Sequence, residues 1–228
     1  MPSLKSRRCE VATGFRWSFA YHHRWLVAHK LIDRPWFILA SAPQPTVPAA
    51  LPPDVVHAYV RLAGRSAKLQ GLPDGDLTIL NEAGLQEARE AGVASGHLLL
   101  IRRDLCFRSK LARWAMIGGT RHLDLRRKDR DSYTIGVAGS LFSDGTPYSR
   151  PSTTIPMICF ALAHKVPQII VAGLSLDHTG HAYDRLERPR RHVREDRLAL
   201  QRIADHYPQV VTTEQSLHEH TGIPLYGG

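Results

Sequence analysis

Residues 168–172 read QIIVA and run directly into Gly173. Four successive apolar residues closed by a glycine are typical of a strand that is buried on both faces, as strands of parallel sheets are. Similar short apolar runs recur along the chain, and helix-forming stretches such as Glu82–Ala91 lie between them. This alternation predicts an α/β fold with a mostly parallel sheet and helices on both of its faces.

The same two patterns place the individual elements. Strands are predicted at Trp36–Ala40, Val55–Val60, Leu77–Leu80, Leu98–Ile101, Ile135–Val137, Gln168–Ala172 and Val210–Val211. Helices are predicted at Ala63–Leu69, Glu82–Ala91, Arg108–Met116, Thr154–His164 and Arg191–His206. Because ligands of open parallel sheets bind beyond the carboxyl ends of the strands, the loops after these strands are the first candidates for a site.

Composition narrows the classes of partner. The chain has 228 residues, with 30 Lys and Arg against 21 Asp and Glu, so its formal charge is +9 and suits an anionic ligand. The sequence contains no zinc finger, no RNP-type aromatic motif and no GXXG clamp, so no nucleic-acid partner is predicted. Its three cysteines form no CxxC pair and its basic N-terminus lacks an apolar signal core, which together predict a cytoplasmic protein.

The first 34 residues are basic and aromatic, and we expect them to form an extension to a single α/β domain at residues 35–228. Four apolar residues of the extension recur at helical spacing: Trp17, Tyr21, Trp25 and Ala28. The pattern favours a helix packed on the body of the protein. The alternative is a peripheral contact with the inner face of the membrane, assisted by three cations, Arg16, Arg24 and Lys30.

Two segments rich in small residues are candidates for nucleotide binding. The loop after the first strand contains Ser41, Ala42, Pro43 and Thr46, and such a turn lets N–H groups and hydroxyls approach a phosphate or ribose. The second segment, Ser152-Thr153-Thr154, enters a predicted helix at its positively polarised end. There Ser152 and Thr153 either cap the helix or bind a phosphate or ribose.

The stretch after Gly173 is long and polar, and it predicts a flexible flap over the edge of the sheet. Ser175 and Asp177 stand at its start. Cationic, imidazole and phenol side chains follow them, including His181, Tyr183, Arg188 and Arg191. Such a concentration of donors suits an anionic group such as a nucleotide phosphate.

His192 and Asp196 open the last long predicted helix, four residues apart and therefore on one face of it. A carboxylate in that position can hold an imidazole in one orientation and raise its basicity, which makes His192 a candidate general base. A surface histidine beside a solvated carboxylate is the alternative interpretation of the same pair.

In these segments the chain resembles the bacterial sialyltransferase-like glycosyltransferases, which are metal-independent, have a Rossmann-like sheet and use CMP-sugar donors. The family's small Gly-Pro-Ser loop corresponds to Ser41-Ala42-Pro43, and its Ser-Thr-Gly turn corresponds to Ser152-Thr153-Thr154. Arg61 stands where the family has a nucleotide-contacting Asn at the end of the second strand. Asp177 replaces the first of two phosphate-binding tyrosines, and Tyr183 matches the second.

The resemblance implies inverting transfer of a sugar to a glycan hydroxyl, with His192 as the general base, supported by Asp196. Tyr183 would stabilise the departing phosphate, with further anion contacts from His181, Arg188 and Arg191. The implied donor site is framed by Ser41, Ala42, Pro43, Thr46, Arg61, Ser152, Thr153, Thr154, Gly173, Ser175 and Asp177. No metal or other cofactor is expected, and the expected partners are a nucleotide-sugar donor and a glycan acceptor.

Two further functions fit the same residues. The first is that of the archaeal-type pterin pyrophosphokinases, which have a related Rossmann-like fold and need Mg²⁺. The carboxylates of Asp177, Asp184 and Asp196, near the flap, would hold this ion. The other is a non-catalytic relic of the fold that still binds a nucleotide or a glycan. The departures at Arg61, Thr154 and Asp177 fit that reading.

Overall fold

A computed structural model describes residues 17–102, 119–144, 149–177 and 192–227, and every structural statement below concerns these ranges. Their strands are β1 (Trp36–Leu39), β2 (Val56–Val60), β3 (Gly75–Asn81), β4 (Ser95–Arg102), β5 (Arg121–Arg126), β6 (Ile169–Ala172) and β7 (Val210–Thr212). Their helices are α1 (residues 17–28), α2 (Ala63–Leu69), α3 (Leu85–Glu90), α4 (Arg127–Ala138), α5 (Thr154–Ala163), α6 (Val193–His206) and α7 (Gln215–Thr221).

All seven strands of these ranges run parallel, in the spatial order β5-β4-β3-β2-β1-β6-β7. The chain therefore builds outward from β1 to β5 and then returns to add β6 and β7 on the other side of β1. The two central strands are wholly buried and pair from Trp36 with Ile169 to Leu39 with Ala172. This reversal of direction creates a crevice at the carboxyl ends of β1 and β6, where such sheets bind ligands.

Helices cover both faces of the sheet, which confirms the predicted architecture. The larger core lies on the face covered by α1, α4, α5 and α6, and α5 is buried along almost its whole length. On the other face, α2 contributes Ala63 and Ala67 to one cluster, and α3 contributes Leu85 and Ala88 to another. No helix in the described ranges is long and apolar enough to cross a bilayer.

Two predicted elements need correction. The apolar triplet Ile135–Val137 is part of helix α4 and not a strand, and Ile135 is half exposed there. The strand β5 was missed because its sequence, RHLDLR, is mostly charged and only Leu123 and Leu125 are buried. The predicted helix Arg108–Met116 and most of the predicted flap, residues 178–191, lie outside the described residues.

Helix α1 packs on the body of the protein, but through a different face from the one its aromatic spacing suggests. Leu26 and His22 are buried against the core. Trp25 is only partly buried, whereas Trp17 is 74% and Tyr21 51% exposed. The inner face of this amphipathic helix is thus formed partly by histidines, which hydropathy alone ranks as polar.

A hydrogen-bonded chain of buried aromatic groups fixes α1 to α4 and α5. The Tyr133 hydroxyl bonds His22 Nδ1 and His164 Nε2, each at 2.9 Å, and the Phe19 ring stacks on His164 at 4.6 Å. Burial lowers the pKa of His22, against the opposing charge of Asp129. Burial, with the nearby His22 and His23, lowers the pKa of His164 to about 3. Both rings are therefore neutral in the folded protein at pH 7.

Acid should destabilise the fold through these histidines. An unfolded histidine takes up its proton near pH 6.5 and folded His164 only near pH 3, so the free energy of unfolding falls as the pH drops through that window. One such group contributes about 1.4 kcal/mol per pH unit there. His164→Phe keeps a ring against Phe19 and removes one titrating group, so we expect its urea-unfolding stability to fall less steeply with pH. Equal slopes for variant and wild type would contradict this origin.

Candidate functional site

The exits of β1 and β6 stay paired beyond the strands. The Ala40 N–H donates to Ala172 O and the Ala42 N–H to Gly173 O, both at 2.8 Å. Gly173 has φ +65°, and a Cβ atom there would lie 2.7 Å from the carbonyl oxygen of Ala40. Only glycine tolerates both the backbone conformation and this approach. The predicted site residues Ala42 and Gly173 are therefore in direct contact at the crevice.

The carboxylate of Glu214 joins the loops that follow β1, β6 and β7. Glu214, which follows β7, accepts hydrogen bonds at Oε1 from the N–H groups of Gly173 (2.6 Å) and Thr46 (2.9 Å). Its Oε2 accepts a third from the Thr46 hydroxyl at 2.9 Å. Two groups of Thr46 expected to face a nucleotide are thus bonded to the protein itself. Sequence reasoning missed Glu214, although its position directly after the last predicted strand was a usable signal.

Asp177 also has a partner from the segment after β7. Its Oδ2 lies 2.9 Å from Nε2 of His220 in α7, and its N–H donates to the Ser175 hydroxyl oxygen. A carboxylate at the place of a phosphate-binding tyrosine would repel an anion if it stood alone. Here the carboxylate has the neighbouring imidazole as a partner within the protein.

The predicted segment Ser152-Thr153-Thr154 lies at the start of α5, on the same edge of the sheet. Thr153 is the N-cap residue, but no side-chain hydrogen bond caps the helix, and Thr154 is buried. Instead the Ser152 N–H donates to Oδ1 of the fully buried Asp196 at 2.6 Å. The Ser152 hydroxyl is buried and, within the described ranges, has no hydrogen-bond partner.

His192 occupies the N-cap position of α6, one helical turn before Asp196. Its Nδ1 is buried and makes no hydrogen bond to any described residue. Oδ1 of Asp196 accepts its hydrogen bond from the Ser152 N–H. Asp196 therefore links the starts of α5 and α6, and His192 lies one helical turn before this link.

Arg61 lies farther along the edge, after β2. Its φ is +56° and its N–H donates to Ile79 O, while its guanidinium lies 3.7 Å from Glu87 of α3. Asparagine enters this left-handed region several times more often than most residues. The backbone here therefore suits the Asn that the resemblance leads one to expect, whereas the Arg61 side chain is paired with α3.

The remaining predicted site residues are outside the described ranges: His181, Tyr183, Asp184, Arg188 and Arg191. Their assignments stay predictions. Of the carboxylates proposed for Mg²⁺, Asp177 bonds His220 and Asp196 bonds Ser152. Within the described ranges, no three His, Cys, Asp or Glu side chains are gathered as a metal site.

No protein-family model and no curated protein matches this sequence. The fold, however, matches solved structures of sialyltransferases. The monofunctional α-2,3-sialyltransferase Cst-I from Campylobacter jejuni gives a TM-score of 0.56 at 11% identity, over 84% of this chain and 80% of that one. The sialyltransferase CST-II in complex with a trisaccharide acceptor and CMP gives 0.54 at 12% identity, over 84% and 86%. CstII from Campylobacter jejuni with CMP-3FNeuAc gives 0.51 at 13% identity, over the same shares.

At such identities the likeness establishes the fold. The Rossmann-like α/β prediction is confirmed, and sialyltransferases of known structure share the architecture. The ligands in those structures belong to those proteins. What this chain binds has to be argued from its own crevice.

Removing the Glu214 carboxylate should lower the stability of the fold at the crevice. Glu214→Ala deprives two N–H groups and one hydroxyl of their acceptor, so we expect a loss of about 2 kcal/mol in unfolding free energy. In thermal denaturation that loss corresponds to roughly 4–8 °C for a chain of this size.

Glu214→Gln is the matched control. Its amide oxygen still accepts from the Gly173 and Thr46 N–H groups, and its NH₂ can donate to the Thr46 hydroxyl, so we expect about half the loss. Thr46→Val completes a double-mutant cycle with Glu214→Ala. Strict additivity in that cycle would show that the bond between Glu214 and the Thr46 hydroxyl contributes nothing.

Proposed function

We propose that this protein is a glycosyltransferase of the sialyltransferase type, which moves a sugar from a CMP-activated donor to a hydroxyl of a glycan. The fold it shares with sialyltransferases supports the general class. The observation that carries the proposal is the 2.6 Å hydrogen bond from the Ser152 N–H to Asp196. It joins the start of α5 to Asp196, which lies one helical turn after His192, and so supports His192 as the base.

The chemistry in this proposal is a single inverting displacement. The acceptor hydroxyl attacks the anomeric carbon, the bond from that carbon to the CMP phosphate oxygen breaks, and the phosphate leaves with the electron pair. His192 takes the hydroxyl proton as the new bond forms. The positively polarised start of α5, at Ser152–Thr154, favours the charge that develops on the phosphate. Tyr183 and the cations His181, Arg188 and Arg191 are proposed to share that charge.

The remaining donor-site residues act as a scaffold in this proposal. Ser41, Ala42 and Pro43 leave β1 beside Gly173, and the Ala42–Gly173 hydrogen bond fixes their path. Asp196 is a positioning residue that works through Ser152. The Glu214 and Asp177 carboxylates both have hydrogen-bond partners within the protein.

One observation favours a non-catalytic alternative. The N–H groups of Gly173 and Thr46, which a bound nucleotide would otherwise use, are occupied by Glu214. A protein that kept the fold and lost the donor site would look like this. Binding of CMP and turnover of its sugar conjugate must therefore be measured separately.

Nucleotide binding is tested by thermal shift with CMP, UDP, GDP and ATP, each with Mg²⁺ and with EDTA. We expect a CMP-selective shift that survives EDTA; near 100 Kd it adds about 2.7 kcal/mol, or roughly 5–10 °C for a chain of this size. A shift with ATP that needs Mg²⁺ would replace the proposal with a pyrophosphokinase. The absence of any CMP shift would show that the chain has no CMP-sugar donor site.

Turnover is tested with a CMP-sialic acid donor and His192→Asn. Asparagine is a favourable N-cap residue, so the variant should keep α6 and the CMP shift. Loss of the general base should lower the rate by about 10²–10⁴-fold. His206→Asn, at the exposed far end of the same helix, should leave the rate unchanged. CMP binding without turnover in the wild type would establish the non-catalytic alternative. Wild-type activity in His192→Asn would show that His192 is not the general base.

A further inference from the structure

The outer face of α1 carries an exposed aromatic and basic stripe. Trp17 is 74%, Tyr21 51% and Val27 51% exposed. At 100° per residue, Trp17, Tyr21, Arg24 and Ala28 fall within about 60° of the helix circumference. Ala20 and Val27 border them, and all six side chains are exposed. We call these six residues the α1 stripe.

The exposure of the α1 stripe does not arise from a loosely attached helix. The opposite face is held by buried Leu26 and by the hydrogen bond from His22 to Tyr133. The helix therefore has two distinct faces, one seated on the core and the other presenting large apolar groups to solvent. Aromatic groups that cluster on one exposed helix face mark an interaction surface.

We propose that the α1 stripe docks on an anionic lipid surface. Trp and Tyr are the side chains that prefer the boundary between headgroups and acyl chains, where an apolar ring and a polar group are both satisfied. Arg24 lies within the stripe, so the same face attracts anionic headgroups. The formal charge of +9 on the whole chain adds a long-range attraction of the same sign.

A second copy of the chain is a poorer occupant of this face. A two-fold contact along a short helix pairs the same patch with itself. Arg24 is near the middle of the α1 stripe, so a symmetric contact would bring two guanidinium groups together without a carboxylate on the stripe to separate them. A lipid surface meets the same Arg24 with negative charge.

Docking through α1 leaves the candidate site accessible. The inner face of α1 meets His164, the residue that follows the last turn of α5, whereas the Ser152–Thr154 segment lies at its first turn. A ten-residue helix separates these points by about 15 Å. Transfer to a soluble acceptor should therefore not depend on the α1 stripe, so a failure of this proposal is distinguishable from a failure of the proposed function.

The test is co-sedimentation of the full chain with vesicles of phosphatidylcholine alone or mixed with phosphatidylglycerol. We expect binding to the anionic vesicles only, weakened by salt. Trp17→Ser with Tyr21→Ser should weaken it by about tenfold or more, and Arg24→Glu by roughly fivefold or more. Leu69→Ser removes a side chain that is 79% exposed on α2 and serves as the matched control without effect.

Thermal denaturation of each variant shows whether its fold is kept, and Arg24→Glu, an exposed single change, decides the matter if the double variant unfolds. Failure of the wild type to bind anionic vesicles would overturn the proposal. So would variants that bind as the wild type does. The remaining outcome is a wild type that binds no vesicles and sediments as a dimer, while the variant with Trp17→Ser and Tyr21→Ser sediments as a monomer. That result would overturn the proposal and identify the stripe as a contact between copies of the chain.

Discussion

The close approach of two backbones, at Ala40 and Gly173, sets the arrangement of the whole carboxyl edge. A Cβ atom at Gly173 would lie 2.7 Å from the carbonyl oxygen of Ala40, so the loops after β1 and β6 leave the sheet in contact. The Gly173 N–H then falls where the ladder has ended, and it needs an acceptor other than a strand. Glu214 supplies that acceptor and in doing so ties β7 and the Thr46 loop to the same point.

This arrangement changes the electrostatics that the fold usually offers to a nucleotide. Backbone N–H groups at the switch point of a doubly wound sheet commonly face a phosphate. Here those of Gly173 and Thr46 face a carboxylate of the protein. In the proposed function the anionic group therefore lies at the first turn of α5, which has no side-chain cap, although the preceding Ser152 N–H itself donates to the Asp196 carboxylate. The departure from the usual arrangement concerns which loop meets the phosphate and leaves the fold unchanged.

The sequence was sufficient to predict the α/β architecture, because the central strands are short apolar runs that alternate with helix-forming stretches. It failed at β5, where a half-buried edge strand needs only Leu123 and Leu125 in the core, and at Ile135–Val137, where helical context outweighs the strand preference of β-branched residues. Local pattern identified Gly173 as the residue after a strand, and Ser152 and His192 as residues at helix starts. It could not connect Glu214 with Gly173 or His220 with Asp177, since these partners are 41 and 43 residues apart in the chain. For the same reason it assigned Asp196 to its helical neighbour His192, whereas the carboxylate bonds Ser152.

The contacts at this edge also fix both ends of the segment to which the sequence assigns the phosphate-binding side chains. Asp177, which precedes residues 178–191, is paired with His220 on α7. His192, which follows them, is one turn from Asp196 and its bond to Ser152. One end is thus joined to the β7 side of the crevice and the other to the start of α5. Asp177 thus couples the exit of β6 to α7, and Asp196 couples the starts of α5 and α6, so two carboxylates hold together the elements that meet at this edge of the sheet.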